Sequence, residues 1–297
     1  MAKSLLDRTA LALFKTVPAR AAHHLLFLAQ SRPELPDSWG YHIRPIHYYE
    51  PLPDFRSITT EQLSHRRTPG FDCDWDAQLA LLIGLAQYRT ELEQLEFDFN
   101  NDFFSGFDAA VYYALIRHLQ PARIIEIGAG YSTRIASQAL VRNANGRLTC
   151  IEPYPEARLL DANLNVELIQ KRVEEIDVNF FQDLEANDIL FVDSSHAVKF
   201  GSDVCYEFLD VLPRLRPGVW IHVHDIFFPH DYPAEWLLDR RLALNEQYLL
   251  EAFLSFNKSF VPQLANHWLC LDHADTAAVL WSNDNTRASS FWMKRVA

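Results

Sequence analysis

The rhythm of hydrophobic positions changes at residue 122. From there, short runs that are apolar almost throughout alternate with stretches at helical spacing. ARIIEIG (122–128), GRLTCIEP (146–153), VELIQ (166–170), NDILFVDSS (187–195) and PGVWIHVHDIF (217–227) read as five strands. STRIASQALV (132–141), PEARLLDANL (155–164) and VCYEFLDVLPRL (204–215) read as helices between them. Strands that are apolar on both faces and alternate with helices imply a parallel sheet covered on both sides. One long helix is expected over EWLLDRRLALNEQYLLEAFLSF (235–256). SFVPQL (259–264) and SSFWMKRV (289–296) offer last strands, and residues 266–289 carry no clear period.

Ahead of residue 122 the pattern is helical, then extended, then helical again. Residues 4–29 read as a helix broken or kinked at Pro18, with Leu6, Leu13, Phe14 and Val17 on one face. Residues 31–70 hold six prolines among aromatics, as in YHIRPIHYYEPLPDF, and are expected to form an ordered, extended arm. Leu79, Leu82, Ile83, Ala86 and Leu95 fit an amphipathic helix over 76–96. A further helix ends before Pro121, with Asp108 as a candidate cap. The expected organisation is an N-terminal region of helices and proline-rich arm over 1–70, followed by one domain over 71–297.

Composition narrows the classes. With 49% hydrophobic and 22% charged residues, the 297-residue chain can bury a sizeable core. The net charge is −12, so phosphate backbones are repelled and nucleic acid is not expected as a partner. That charge is uneven: residues 1–70 carry nine basic and six acidic side chains, and the remainder carries 18 against 33. Cys73, Cys150, Cys205 and Cys270 stand far apart without a CxxC pair, which suits reduced thiols in a cytoplasmic protein. The apolar run Ala21–Ala29 is too short to span a bilayer, so no spanning segment is expected. The first helix, studded with Lys3, Arg8, Lys15 and Arg20, is expected to pack on the domain or on a second subunit. The alternative is a membrane-surface or partner-binding helix.

The chemistry-bearing residues cluster at the ends of the strands. The first strand ends in Glu126-Ile-Gly128-Ala-Gly130-Tyr-Ser132-Thr133 and runs straight into a helix. Two glycines there allow a tight turn and a close approach of ligand to backbone, and the helix start supplies N–H donors. A dinucleotide site wants a third glycine where Thr133 stands, which weakens a nicotinamide reading. Glu152, at the tip of the second strand, is placed to accept hydrogen bonds from two ribose hydroxyls.

In combination, GAGYST, IEPYP, DILFVDSSH and PGVWIHVHDIF resemble the class I S-adenosylmethionine-dependent methyltransferases over about residues 100–297. The VDSSH and HVHD strand ends look like the branch of macrolide-sugar O-methyltransferases and cephalosporin-hydroxylase-like proteins. The resemblance implies an α/β, Rossmann-like doubly wound sheet in order 3-2-1-4-5-7-6 with strand 7 antiparallel. It implies S-adenosylmethionine as cofactor. Glu126, Gly128, Gly130, Ser132 and Thr133 would line its methionine and ribose side, Glu152 would hold the ribose diol, and Asp193 would adjoin it.

The fourth strand ends in Asp193-Ser194-Ser195-His196 and the fifth in His222-Val-His224-Asp225. Adjacent in the implied order, these ends would share one crevice. Asp193, His224 and Asp225 could clamp a divalent ion that lowers the pKa of a bound acceptor hydroxyl. Relatives carry an acid or asparagine beside the second aspartate. The relatives' pattern implies magnesium; here His224 and Ile226 flank Asp225 instead, a departure that leaves room for a softer, transition metal. His196 is the candidate general base, with an ordinary histidine pKa of about 6.5 suited to neutrality. His222 is expected to be core. Asn101–Phe104 is a candidate lid over the cofactor, and the arm at Tyr41–Phe55 a candidate wall.

Together these features lead to the expectation of a cytoplasmic methyltransferase acting, with or without an assisting metal, on an oxygen of a sugar or small secondary metabolite, with the N-terminal region available for homo-oligomer contacts. Two alternatives stay open at this stage. One is a non-methylating, hydroxylase-like enzyme of the same fold. The other is a non-catalytic partner-binding scaffold. A hydrolase is disfavoured because Ser194 and Ser195 lack a GxSxG elbow.

Overall fold

A computed structural model of the chain describes residues 16–104, 106–155, 164–282 and 288–297. The start of the first expected helix and nearly all of the one at 155–164 lie outside these residues. Two compact units form, Met1–Ser57 and Ile58–Ala297, so the second begins ahead of the composition change at residue 70.

In the first unit, α1 (Ala19–Ser31) starts after Pro18, which fits the expected break because proline lacks the N–H an interior turn needs. No residue of α1 is buried. Leu25, Leu26, Phe27 and Leu28 are all exposed. The proline-rich segment holds short helices at Glu34–Ser38 and, in the second unit, at Thr60–Leu63; Tyr48 and Tyr49, between them in sequence, are exposed with their rings 4.1 Å apart.

In the second unit, all seven expected strands appear: β1 (Arg123–Ile127), β2 (Arg147–Ile151), β3 (Val166–Ile169), β4 (Ile189–Val192), β5 (Trp220–Val223), β6 (Phe260–Ala265) and β7 (Phe291–Arg295). They form one sheet in the order 3-2-1-4-5-7-6. The pairs among β1 to β5 are parallel, and β7 runs antiparallel to both β5 and β6. Alternation sends Ile124 into one apolar layer and Ile125 and Ile127 into the other. Both layers are filled, so each central strand has to be apolar along its whole length.

Several helices cover the first face among the described residues. They include α2 (Trp75–Leu85), α3 (Gly106–Leu119), α4 (Tyr131–Asn143) and, beyond β6, α8 (Ala274–Leu280). Every residue from Phe107 to Ile116 is buried, so α3 is a core helix with no solvent face. The amphipathic reading of 76–96 is partly corrected. The helix ends at Leu85, a tight turn follows, and Ile83 faces solvent with 59% of its surface exposed.

On the second face, α5 (Asp203–Tyr206) continues through wider and tighter turns to Arg214, and α6 (Glu246–Ser255) packs beside it. The single long helix expected over 235–256 does not form. One turn at Glu235–Asp239 is followed by Arg241 in the left-handed region (φ +55°), and helix resumes only at Glu246. The break is stabilised by Asn245, whose side chain accepts from the Val198 N–H at 2.6 Å. The ambiguous stretch holds α7 (Asn266–Asp272) and α8.

Candidate functional site

The loop after β1 owes its shape to two residues beneath it. Gly128 has φ +86°, and a Cβ there would stand 2.1 Å from the carbonyl oxygen of Asp193. Glycine is therefore required where the β1 loop crosses the end of β4. Gly130 is different: its backbone is extended and a Cβ would meet nothing within 4 Å, because open space lies above it. The Gly130 N–H donates to Thr133 Oγ1 at 3.1 Å, and that hydroxyl donates to Glu126 Oε2 at 2.6 Å. Glu126 Oε1 accepts from the Tyr112 hydroxyl at 2.9 Å.

Glu126 is fully buried and Thr133 nearly so. Neither lines the cleft, which corrects their expected contact with cofactor; they hold up its floor. The physical reason is strand alternation, which turns Glu126 towards α3. Burial pushes the Glu126 carboxyl up to about 7, against the hydrogen bonds from Thr133, Tyr112 and Cys150.

Two cavities meet over this loop. One, of about 250 Å³, is lined by Phe103, Phe104, Gly130 and Ser132 on the β1 side. The other, of about 310 Å³, runs from Glu152 past Val173 and Glu174 to Ser195 and Lys199. Gly128, Glu152, Tyr154 and Asp193 line both, so the two form one trough across the carboxyl ends of β1, β2 and β4. That is where open α/β sheets bind ligands. Glu152 keeps one oxygen on the Tyr154 N–H at 2.7 Å. Asn101 shapes the expected lid segment, accepting from the Phe103 and Phe104 N–H groups at 2.9 and 2.7 Å. Phe104 is anchored in the core, and exposed Phe103 stacks on Tyr131 at the trough's rim.

Gly130 leaves room for close approach, Glu152 faces the middle, and the larger cavity continues to the loop after β3. The chain would hold S-adenosylmethionine with Gly128, Gly130, Ser132, Glu152 and Asp193.

Beyond Asp193 lies a second cluster, built where β4 and β5 end side by side. Both His196 and Asp225 sit in the left-handed region, at φ +55° and +56°. Such a conformation is uncommon for residues other than glycine and persists where surroundings enforce it. At His196 the enforcing contacts are the Asn245 and Glu246 N–H groups, which donate to its carbonyl at 3.1 and 3.3 Å. The ring is then held from both ends. Nε2 stands 3.3 Å from Asp193 Oδ1 and 3.4 Å from Asp225 Oδ2, and Nδ1 stands 2.8 Å from Glu246 Oε2.

Burial alone would lower the pKa of His196. The hydrogen bonds to Asp193 and Glu246 and the charges of Glu246 and Asp225 overcome that and raise it well above the ordinary histidine value. The expectation of an unperturbed imidazole is thereby corrected. Asp193 moves the other way. Burial opposes its charge, but His224 and His196 hold its carboxyl down at about 2.

The expected metal ligands do not close into a chelating set. Among the described residues, no group of three or more His, Cys, Asp and Glu is arranged to hold an ion. Asp193 and Asp225 instead share the imidazole of His196 between them, and buried His224 turns Nδ1 to the Ser290 hydroxyl at 3.4 Å. His222 is core, as expected, stacked on Phe191 with Nε2 2.8 Å from Ser290 Oγ. Ser194 Oγ donates to Glu207 at 3.1 Å and Ser195 Oγ to Asp203 at 2.6 Å, so both hydroxyls serve the loop.

Two contributors were not among the sequence candidates. Glu246 is one. Asp108 is the other: it is buried in the first turn of its helix. Its carboxylate accepts from the Ser289 N–H at 2.7 Å, the Ser290 N–H at 3.2 Å and the Asn266 amide at 2.8 Å. That clamp sets the start of β7, from which the Ser289 hydroxyl reaches Asp225 at 3.3 Å.

Residues 125–226, from within β1 to just past β5, match a family described as a methyltransferase domain. The chain belongs to the class I S-adenosylmethionine-dependent methyltransferase family. A protein of Archaeoglobus fulgidus, itself uncharacterized, is 33% identical over 165 residues, which span 49% of this chain and 75% of that one. Solved structures similar to this methyltransferase domain include the O-methyltransferase TomG from Streptomyces achromogenes in complex with SAM, 19% identical with TM-score 0.43. That likeness covers 73% of this chain and 89% of the other. The O-methyltransferase from Bacillus cereus in complex with SAH is 16% identical over 73% of this chain and 91% of that one, with TM-score 0.38. Among the described residues, no helix is long and apolar enough to cross a membrane.

Proposed function

We propose that the protein transfers a methyl group from S-adenosylmethionine to an oxygen of a small-molecule acceptor, a hydroxyl of a sugar or secondary metabolite. The observation that carries this reading is the continuity of the site. Asp193 borders the cofactor trough on one side and touches His196 on the other. When bound, S-adenosylmethionine supplies an activated methyl group. The chain's own part is to position the acceptor and accept its proton.

In this reading Gly128, Gly130 and Ser132 cradle the amino-acid end, Glu152 accepts from the ribose diol, and Phe103 and Phe104 wall the trough against water. The acceptor hydroxyl lies beyond Asp193, donates towards the Asp193–His196–Asp225 cluster, and leaves its proton on His196 Nε2. The two aspartates keep the resulting imidazolium in place. No step requires a metal.

The test is calorimetry of the full chain with S-adenosylmethionine, S-adenosylhomocysteine and NAD, followed by mass spectrometry of sugar and small-hydroxyl acceptors for a gain of one methyl. Binding of the first two in preference to NAD supports the cofactor assignment. Binding of NAD alone overturns it.

A further inference from the structure

We infer that Glu246 is a positioning residue that fixes the ring proton of His196 on Nδ1 and so commits Nε2 to the acceptor side of the site. The inference rests on the reading of His196 as the base. Neutral imidazole carries one N–H, and the nitrogen that bears it is selected by the stronger acceptor nearby.

The geometry is asymmetric. Nδ1 has one close carboxylate oxygen at 2.8 Å, whereas Nε2 has two at 3.3 and 3.4 Å. Glu246 is fully buried, and its other oxygen, Oε1, has no hydrogen-bond partner among the described residues. The carboxylate's one hydrogen-bond partner among the described residues is therefore the His196 ring. The residue is also fixed by its backbone: it opens α6, and its N–H and that of Asn245 both donate to the His196 carbonyl. One helix start thus sets both the left-handed backbone of His196 and the orientation of its ring. Buried Glu207 lies behind. It gives Oε2 to Ser194 and does not reach the ring in this arrangement.

A carboxylate that only filled space would leave the two ring nitrogens alike in exchange. Glu246 makes them different, in the manner of an acid that orients a catalytic histidine. Nitrogen-15 histidine labelling of the full chain reads this directly, with His196→Asn identifying the resonances by their disappearance. The expected result is a downfield, slowly exchanging Nδ1 proton that persists from pH 6 to 10, while the Nε2 proton exchanges or is lost. Glu246→Gln, nearly isosteric, should abolish the downfield position and the protection. An Nδ1 proton that exchanges as fast as that on Nε2 in the native chain overturns the inference, as does a Glu246→Gln spectrum unchanged at His196. Calorimetry with S-adenosylhomocysteine on both proteins keeps the two readings apart. Loss of binding in the native chain sinks the cofactor assignment without touching the ring result.

Discussion

A methyl group on Gly128 would lie 2.1 Å from the carbonyl oxygen of Asp193. The backbone at Gly128 is left-handed as well, at φ +86°. The same crossing that forms the cofactor floor thus ties β1 to β4, with the Asp193 N–H donating to Ile127 at 2.9 Å. Gly128→Ala has to absorb about 1–2 kcal/mol of backbone strain and a further ~1–3 kcal/mol of overpacking. A fall in Tm of roughly 5–15 °C is expected, with S-adenosylhomocysteine binding lost in calorimetry. Retained affinity and Tm would mean that the loop does not press on Asp193.

Glu152 stands at the middle of the trough, with one oxygen already satisfied by the Tyr154 N–H. Glu152→Ala should weaken S-adenosylhomocysteine binding by about 1–3 kcal/mol, the cost of leaving polar partners unsatisfied. The Tm should hardly move, because the side chain is only half-buried. Isothermal calorimetry decides, and an unchanged Kd removes Glu152 from the ribose contact.

Glu126 gives a pH dependence of stability. Its carboxyl is raised from 4.5 to about 7 in the folded chain, first by burial. Between those values the folded state holds the proton that the unfolded state has released. The contribution is therefore full below pH 4.5 and is lost as the pH rises through about 7. A shift of that size corresponds to about 3 kcal/mol. Glu126→Gln cannot titrate, so it should gain about that much relative to the native chain between pH 4.5 and pH 8. Urea unfolding of both proteins at the two pH values checks this, and parallel changes would place the titration elsewhere.

The fold was legible because its strands are buried on both faces. Continuous apolar runs marked β1 to β5, and their ends carried Gly128, Asp193 and Asp225 into view. Glu246 was not legible. It lies 50 residues from His196, inside a run whose apolar spacing passes as one helix. The signal that breaks that helix is a left-handed Arg241 and a side-chain bond from Asn245, neither of which alters the hydrophobic period. Asp108 was visible only as a cap, because its partners Ser289 and Ser290 come from just ahead of β7, far along the chain. Its burial in α3 follows from tertiary packing and not from local pattern. Glu126 and Thr133 were found by motif but assigned to the wrong side of the loop, since the strand's alternation turns them to the core.

The expected metal triad yields a separate test. His196 Nε2 fills the space between Asp193 and Asp225, so turnover should persist in excess chelator and should not rise on adding magnesium, manganese or zinc. Methyl transfer to an identified acceptor, followed by mass spectrometry with and without chelator, checks this. Abolition by chelator and recovery with one ion would return Asp193 and Asp225 to the role of ligands.

His196→Ala tests the base itself. A positioned base contributes typically about 10²–10⁴-fold to rate. The variant should lose kcat by about that factor while its affinity for S-adenosylhomocysteine stays near native, since His196 does not line the trough. The native rate should rise with pH, because the base must first give up its proton. Burial works against that charge, but Asp193, Glu246 and Asp225 outweigh it, so the limb should lie above the ordinary histidine range. Glu246→Gln removes one of those carboxylates and should move the limb downwards, whereas His196→Ala should remove it altogether. A variant lacking the imidazole that still turns over at the native rate, with the native pH profile, would leave the proton with Asp193 or Asp225 and reduce His196 to the bridge that holds them.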